Sequence, residues 1–285
     1  MLVSCTTIGL AHRLGGEDAA IRLLASVGFD AYDMGFCGMT DEGHWMHRDD
    51  WREEILRLRR VADEAGIVCN QAHAPFDGPY EKIRDWVIRS MEAAALLGAR
   101  IIVVHPRQHL TYAENVERLR EINREYYTSL LPYCEQFGIA IATENMWHWN
   151  SFGKHIIDST CSRAPEFCEY IDMIDSPYLV GCLDIGHTSL VGVKLGDFIR
   201  TMGKARLRAL HVHDNDYQQD SHTLPYLLNI DFSEMTRALR EIGYEGDMTF
   251  EAHSFFTRFP DALLPAAARL MCEVGKYLVK ECTKS

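Results

Sequence analysis

The chain alternates a short apolar run with a longer segment of helical periodicity, and it does so eight times. Glycine stands just past the end of five predicted helices, at positions 28, 66, 98, 138 and 243, where a left-handed residue commonly terminates a helix. Regular alternation of strands and helices predicts a parallel sheet covered by helices, and eight repeats suffice to close it into a barrel. We therefore predict an α/β fold, a single (β/α)8 TIM barrel over residues 1–285.

The predicted strands are Leu2–Leu10, Asp30–Phe36, Ile67–His73, Arg100–His105, Ile139–Glu144, Leu179–Asp184, Leu207–His211 and Asp247–Glu251. The predicted helices are Gly16–Val27, Asp49–Ala65, Pro79–Leu97, Ala113–Phe137, Ala164–Ile174, Leu195–Met202, Phe232–Ile242 and Pro260–Glu281. The longest predicted loop runs from Asn145 to about Arg163 and carries two tryptophans.

Composition disfavours several classes of protein. No run of about 18 apolar residues is present, so no membrane span is expected. The net charge of −12 makes a nucleic-acid partner unexpected. Nine cysteines without a CxxC pair and a start without the features of a signal peptide favour reduced thiols and a cytoplasmic location.

Metal-binding side chains stand at the carboxyl ends of six consecutive predicted strands, where TIM barrels carry their chemistry. The most telling stretch is Leu207–Asp216, in which a strand ends in His211 and His213, two residues apart and so on one face. Glu144, Asp184 and Glu251 end three other strands. With His211 they form a mixed carboxylate and imidazole set, which suits one divalent ion such as Mn²⁺, Mg²⁺, Co²⁺ or Zn²⁺. A buried ion-pair network without metal is the alternative interpretation.

Four segments of the chain resemble the xylose-isomerase-like TIM-barrel superfamily, which contains sugar isomerases and epimerases, inosose dehydratases and metal-dependent apurinic endonucleases. These segments are Thr143–Met146, Leu183–His187, His211–Asp216 and Phe250–His253. The resemblance implies that Glu144, Asp184, His211 and Glu251 form the metal site of a ketose 3-epimerase. It also implies that Glu144 and Glu251 are the two catalytic carboxylates and that His187 contacts the substrate.

The resemblance to the endonuclease branch implies further ligand positions. His73 and His105 match one accessory pair, and Asp220 and His222 match another beside His187. For His73 and His105 a substrate contact is the other interpretation, and we place both among the substrate-binding candidates. After His222 the chain departs from the Pro-Gly-x-Gly turn of many sugar-enzyme relatives.

We expect a sugar isomerase or epimerase that acts on a keto sugar or a related polyol ketone through an enediolate. One glutamate would remove the carbon-bound proton and the other would return it, and the sequence does not decide which does which. His213 would contact substrate oxygens or support a ligand, and Trp147 and Trp149 would stack on the sugar. No Gly-rich phosphate loop is present and no organic cofactor is expected.

Three other functions remain open at this stage: a non-catalytic sugar-binding barrel, an inosose-type dehydratase that shares the enediolate, and a phosphodiesterase like the apurinic endonucleases. The phosphodiesterase would need about three metal ions and a basic surface for DNA, whereas this chain is acidic. Counting bound metals would separate it from the sugar enzymes. The expected partner is a small carbohydrate, and a homo-oligomer is compatible with the sequence.

Overall fold

The computed structural model describes residues 1–76 and 78–284. Positions 77 and 285, which fall within the predicted domain range, lie outside the described residues. Eight parallel strands form one sheet that curls into a nearly closed barrel, so the predicted fold class is confirmed. The barrel strands are β1 (Val3–Thr6), β2 (Ala31–Gly35), β3 (Val68–His73), β4 (Ile101–Val103), β5 (Ala140–Glu144), β8 (Leu179–Asp184), β9 (Leu207–His211) and β10 (Met248–Phe250).

Helices cover the outside of this sheet. They are α1 (Leu10–Leu14), α2 (Glu17–Val27), α3 (Trp51–Ala65), α4 (Tyr80–Leu97), α5 (Tyr112–Phe137), α6 (Ala164–Asp172), α7 (Ile185–Leu190), α8 (Leu195–Arg206), α9 (Phe232–Ile242) and α10 (Leu264–Cys282). The five glycines predicted to end helices all adopt positive φ, between 65° and 102°. No helix in the described part of the chain is both long and apolar enough to cross a membrane.

Neighbouring strands follow the chain order β10-β1-β2-β3-β4-β5-β8-β9. Between β9 and β10 the ring is closed by Val212, whose N–H donates to the carbonyl of Thr249 (2.9 Å) and whose carbonyl accepts from the N–H of Glu251 (3.2 Å). The closure therefore lies just beside His211 and Glu251 and fixes the two strand ends relative to each other.

Side-chain alternation along the strands places the site. Inside the barrel a small apolar cluster of Val103, Ala142, Val180, Cys182 and Ala209 is buried. Residues two apart on a strand share a face. The next inward-pointing residue after this cluster on each strand therefore lies at the carboxyl end of that strand. The larger apolar core lies between the outer face of the sheet and the helices.

Several predicted boundaries were wrong. The first strand ends at Thr6, and the chain from Leu10 to Leu14 is helical, because Gly9 turns it with a positive φ of 79°. The predicted loop after β5 contains an antiparallel hairpin, β6 (Trp147–Asn150) and β7 (His155–Asp158). Helix α7 begins directly after β8 and was not predicted.

Candidate metal centre

Four predicted ligands come together at the carboxyl end of the barrel. Glu144, Asp184, His211 and Glu251 each offer an atom to a cluster in which all four atoms lie within 4.8 Å of one another. The four residues are buried. His211 Nδ1 lies 3.0 Å from Glu144 Oε1 and 3.5 Å from Glu251 Oε2, so this nitrogen faces the centre of the cluster.

A second group of side chains surrounds the other oxygen of Glu144. His105 Nε2 lies 3.0 Å and His73 Nε2 lies 3.7 Å from Glu144 Oε2. His73 donates its Nδ1–H to the carbonyl of Ala74 (2.8 Å), which leaves Nε2 as the nitrogen that faces the carboxylate. The three side chains offer donor atoms that would suit one metal ion.

A third group of possible metal ligands contains His187, His213, Asp220 and His222. Asp220 Oδ2 lies 3.3 Å from His187 Nε2 and 3.0 Å from His222 Nε2. The other ring nitrogens donate to backbone carbonyls, His187 to Asn145 (2.8 Å) and His222 to Glu251 (2.7 Å). A backbone partner of this kind fixes the ring and turns the remaining nitrogen toward a ligand.

His213 lies behind the ligand set. It is fully buried, and its Nε2–H donates to both oxygens of Asp184 at 3.1 Å. A methyl group on Gly186 would overlap the His213 ring, so only glycine permits this close approach. The geometry favours support of Asp184, one of the two predicted roles for His213.

Asn145 fixes the end of β5 against the end of β8. Its side-chain oxygen accepts from the N–H of Asp184 (2.7 Å), and its amide donates to the carbonyl of Asp184 (3.0 Å) and to Thr188 Oγ1 (3.1 Å). Its own carbonyl orients His187. A single side chain therefore positions members of two clusters.

The electrostatics of the site rest on histidine alone. In the described part of the chain, the carboxylates of Glu144, Asp184, Asp220 and Glu251 form ion pairs only with histidines. Burial raises the pKa of Glu144, but His211 and His105 outweigh it and hold that pKa well below its usual value. Neighbouring histidines likewise lower the pKa of Asp184, Glu251 and Asp220 against the effect of burial.

The histidines respond in the opposite direction where they face two carboxylates. Burial lowers the pKa of His187, yet Asp184 and Asp220 raise it well above 6.5. The pKa of His222 rises to about 9 despite burial, through Asp220 and Glu251. The same field that favours imidazolium would attract a divalent cation, which neutralises several carboxylates at once.

The donor set fits divalent metal. Glu144 Oε2 and Asp220 Oδ1 lie near histidines but are buried without a hydrogen-bond partner among the described residues, and buried carboxylate oxygens without hydrogen bonds are costly unless a cation satisfies them. Carboxylate oxygens and imidazole nitrogens without thiolate suit Mn²⁺, Mg²⁺, Co²⁺ or Zn²⁺.

A cavity of about 370 Å³ opens above the clusters, a size typical of small-molecule sites. Besides Asp220, ten of its lining residues belong to the clusters or carry other titratable or aromatic groups: Cys37, His73, Phe76, His105, Glu144, Trp147, His187, His222, Glu251 and His253. Asp220 lines it as well and accepts a hydrogen bond from the indole N–H of Trp147 (3.2 Å).

Trp149 lies elsewhere. It is 44% exposed on β6 and borders a different surface cavity with His155 and Tyr217. Residues two apart on a strand share a face, so the two tryptophans differ in their position along β6: Trp147 is half-buried beside Asp220, whereas Trp149 is exposed. Sequence reasoning gave no role to Phe76 and Gln108, which line the cavity, because neither residue type signals a site by itself.

A family model described as "Xylose isomerase-like TIM barrel" matches residues 21–273. The chain therefore belongs to this family. An uncharacterized protein of Methanocaldococcus jannaschii is 29% identical over 248 residues, which are 82% of this chain and 78% of that protein.

Solved structures share the fold at lower identity. A D-tagatose 3-epimerase-like protein superposes with a TM-score of 0.75 at 20% identity, covering 99% of this chain and 98% of that one. A D-psicose 3-epimerase crystallised in the presence of D-fructose gives 0.71 at 16% identity, with 98% and 99% covered. The IOLI protein with a bound zinc atom gives 0.69 at 14% identity, and both chains are covered completely.

Proposed function

We propose that this protein is a divalent-metal-dependent isomerase or epimerase of a keto sugar or a related polyol ketone. One observation carries the proposal: two buried glutamates from different strands, Glu144 and Glu251, share a four-residue cluster and line the same cavity. The epimerase names among the solved structures of this fold support the choice of substrate class.

Glu144, Asp184, His211 and Glu251 would hold the metal, which supplies Lewis-acid polarisation of a substrate carbonyl. The other steps belong to the side chains. Either Glu144 or Glu251 removes the proton from the carbon next to the carbonyl, and the other glutamate donates a proton from its own side. Neighbouring histidines lower the pKa of both carboxyl groups, so either can be the base, and the glutamate that donates must first take up a proton from solvent.

Other residues would orient the sugar. His187 and Trp147 border the cavity on the side of Asp220, and His105 and Phe76 border it on the side of Glu144. Phe76 stacks on the His105 ring at 4.4 Å between centroids, which gives that wall an apolar face. Trp147 covers the opposite wall and helps to exclude water.

The test is hydrogen exchange in D₂O. Metal-loaded protein is incubated with ketohexoses, inososes and oxidised glycosides, and NMR follows deuterium entering at the carbon next to the carbonyl. Glu251→Gln and Glu144→Gln should each slow exchange by about 10² to 10⁴-fold, the usual contribution of an acid–base group. Glu166→Gln is the matched control, because Glu166 is also a buried glutamate but lies outside the cavity. Burial raises the pKa of Glu166.

Loss of water from an inosose in the same spectra would assign a dehydratase instead. Near-normal exchange in both glutamine variants would contradict the assignment of the two glutamates.

A second candidate, a multi-metal phosphodiesterase, is favoured by the two additional clusters beside the first. Against it, the described residues that line the cavity include no lysine or arginine, the residues that bind nucleic-acid phosphates. Metal analysis separates the two: about one ion per chain supports sugar chemistry, and about three support the phosphodiesterase.

A further inference from the structure

A carboxylate that the sequence did not single out lies beneath His211. Asp33 comes from the inward face of β2 and is fully buried. Its Oδ2 lies 3.7 Å from His211 Nε2, the nitrogen turned away from Glu144 and Glu251. In the described part of the chain, neither Asp33 Oδ1 nor His211 Nε2 has a hydrogen-bond partner.

A chain of hydrogen bonds through the barrel interior ends on Asp33. Asn70 Nδ2 donates to Thr249 Oγ1 (3.1 Å), Thr249 Oγ1 donates to Gln71 Oε1 (3.3 Å), and Gln71 Nε2 donates to Asp33 Oδ2 (3.2 Å). Ser4 Oγ fixes the far end by donating to Asn70 Oδ1 (2.7 Å). Asn70 Nδ2 also donates to Asp247 Oδ2 (3.1 Å), but from Thr249 through Gln71 each donor is directed toward Asp33, which is the acceptor at the end of the network.

The orientation of His211 determines where its ring proton belongs. Nδ1 faces two carboxylates of the cluster at 3.0 and 3.5 Å and is therefore the ligand atom. A neutral imidazole carries one proton, which then lies on Nε2. Metal-binding histidines usually donate this other N–H to a carboxylate, carbonyl or water, which fixes the tautomer and increases ligand basicity.

We propose that Asp33 is a positioning residue, which accepts the Nε2–H of His211 and so holds Nδ1 available for metal, while the chain from Asn70 through Gln71 anchors Asp33. The buried His211 Nε2, which has no hydrogen-bond partner among the described residues, thereby gains an acceptor. The inference rests on the metal cluster of the proposed function and adds the residue that prepares one of its ligands.

The test uses Zn²⁺ on the full chain labelled with ¹⁵N. Long-range ¹H–¹⁵N NMR distinguishes histidine tautomers, and the His211 signals are assigned from a His211→Asn sample. Zinc is titrated against a competing chelator while the His211 ring signal is followed, so that the other two clusters do not contribute. Asp33→Asn is compared with Ser90→Ala, a matched control that removes a buried hydrogen bond on α4, outside this network.

We expect the Nε2–H tautomer in the zinc-loaded parent protein. We also expect Asp33→Asn to weaken zinc binding at this cluster by about 10 to 100-fold, whereas Ser90→Ala leaves both measurements unchanged. An Nδ1–H tautomer in the parent, or an Asp33→Asn affinity within about twofold of the parent, overturns the role of Asp33 but not the metal site. If the His211 ring signal does not change when zinc is added, both proposals are overturned. Because the tautomer is read in the parent, the test stands even if Asp33→Asn fails to fold.

Discussion

Without bound metal, raising the pH should destabilise this protein, and the pKa shift of His222 gives the size of the effect. Its pKa rises from 6.5 to about 9 in the folded protein because Asp220 and Glu251 outweigh burial. A group with a raised folded pKa stabilises fully below its unfolded pKa and loses that contribution as the pH rises through the folded value. The contribution is therefore present at pH 6.5 and largely gone by about pH 9.5.

The size of the effect follows from the shift. At about 1.4 kcal/mol per pH unit, His222 alone accounts for about 3 kcal/mol of the free energy of unfolding. At about 2–4 °C per kcal/mol for a chain of this size, the melting temperature should fall by on the order of 10 °C between pH 6.5 and 9.5. His187, His73 and His211 also have raised pKa values and act in the same direction.

The assay is scanning calorimetry of chelator-treated protein at several pH values, with and without added Zn²⁺. Zinc should abolish the fall, because ligand histidines must be neutral before they bind metal. His222→Asn should flatten much of the metal-free profile, and the exposed His12→Asn should leave it unchanged. A metal-free melting temperature that is constant over this range, or a zinc-loaded profile that falls just as steeply, would refute the reasoning.

Two further substitutions test how the site is held. Asn145→Ala should lower metal affinity by about 10 to 100-fold, because Asn145 fixes the backbone of Asp184 and the ring of His187; isothermal titration with Zn²⁺ measures this. Asp214→Ala should cost about 1–3 kcal/mol of unfolding free energy in urea, since the Asp214 carboxylate accepts three backbone N–H groups of its own loop. An unchanged affinity or an unchanged urea midpoint would contradict these assignments.

The barrel and its rim were predictable because both depend on simple periodicities. Strands and helices alternate at regular spacing, and glycine stops the helices. An inward residue two positions beyond a buried small side chain then has to reach the rim, as Cys182 and Asp184 show. Glu144, Asp184, His211 and Glu251 were brought together as predicted, although their roles remain proposals.

The features that the sequence did not predict depend on contacts between residues far apart in the chain, which no local sequence pattern indicates. Asp33 looks like any strand aspartate until β2 is placed beneath His211, and the two meet across 178 residues of chain. The hairpin that carries Trp147 and Trp149 forms by pairing with residues 155–158, which have no strong strand signal. Asn145 gains its importance only from the ends of β8 and α7.

The central claim is that four side chains from neighbouring strands bind one cation. Crystals of chelator-treated protein soaked in Mn²⁺ test it most directly, through anomalous difference density. We expect a peak enclosed by Glu144, Asp184, His211 and Glu251. A map with no peak there, or with peaks only at surface carboxylates, would contradict it.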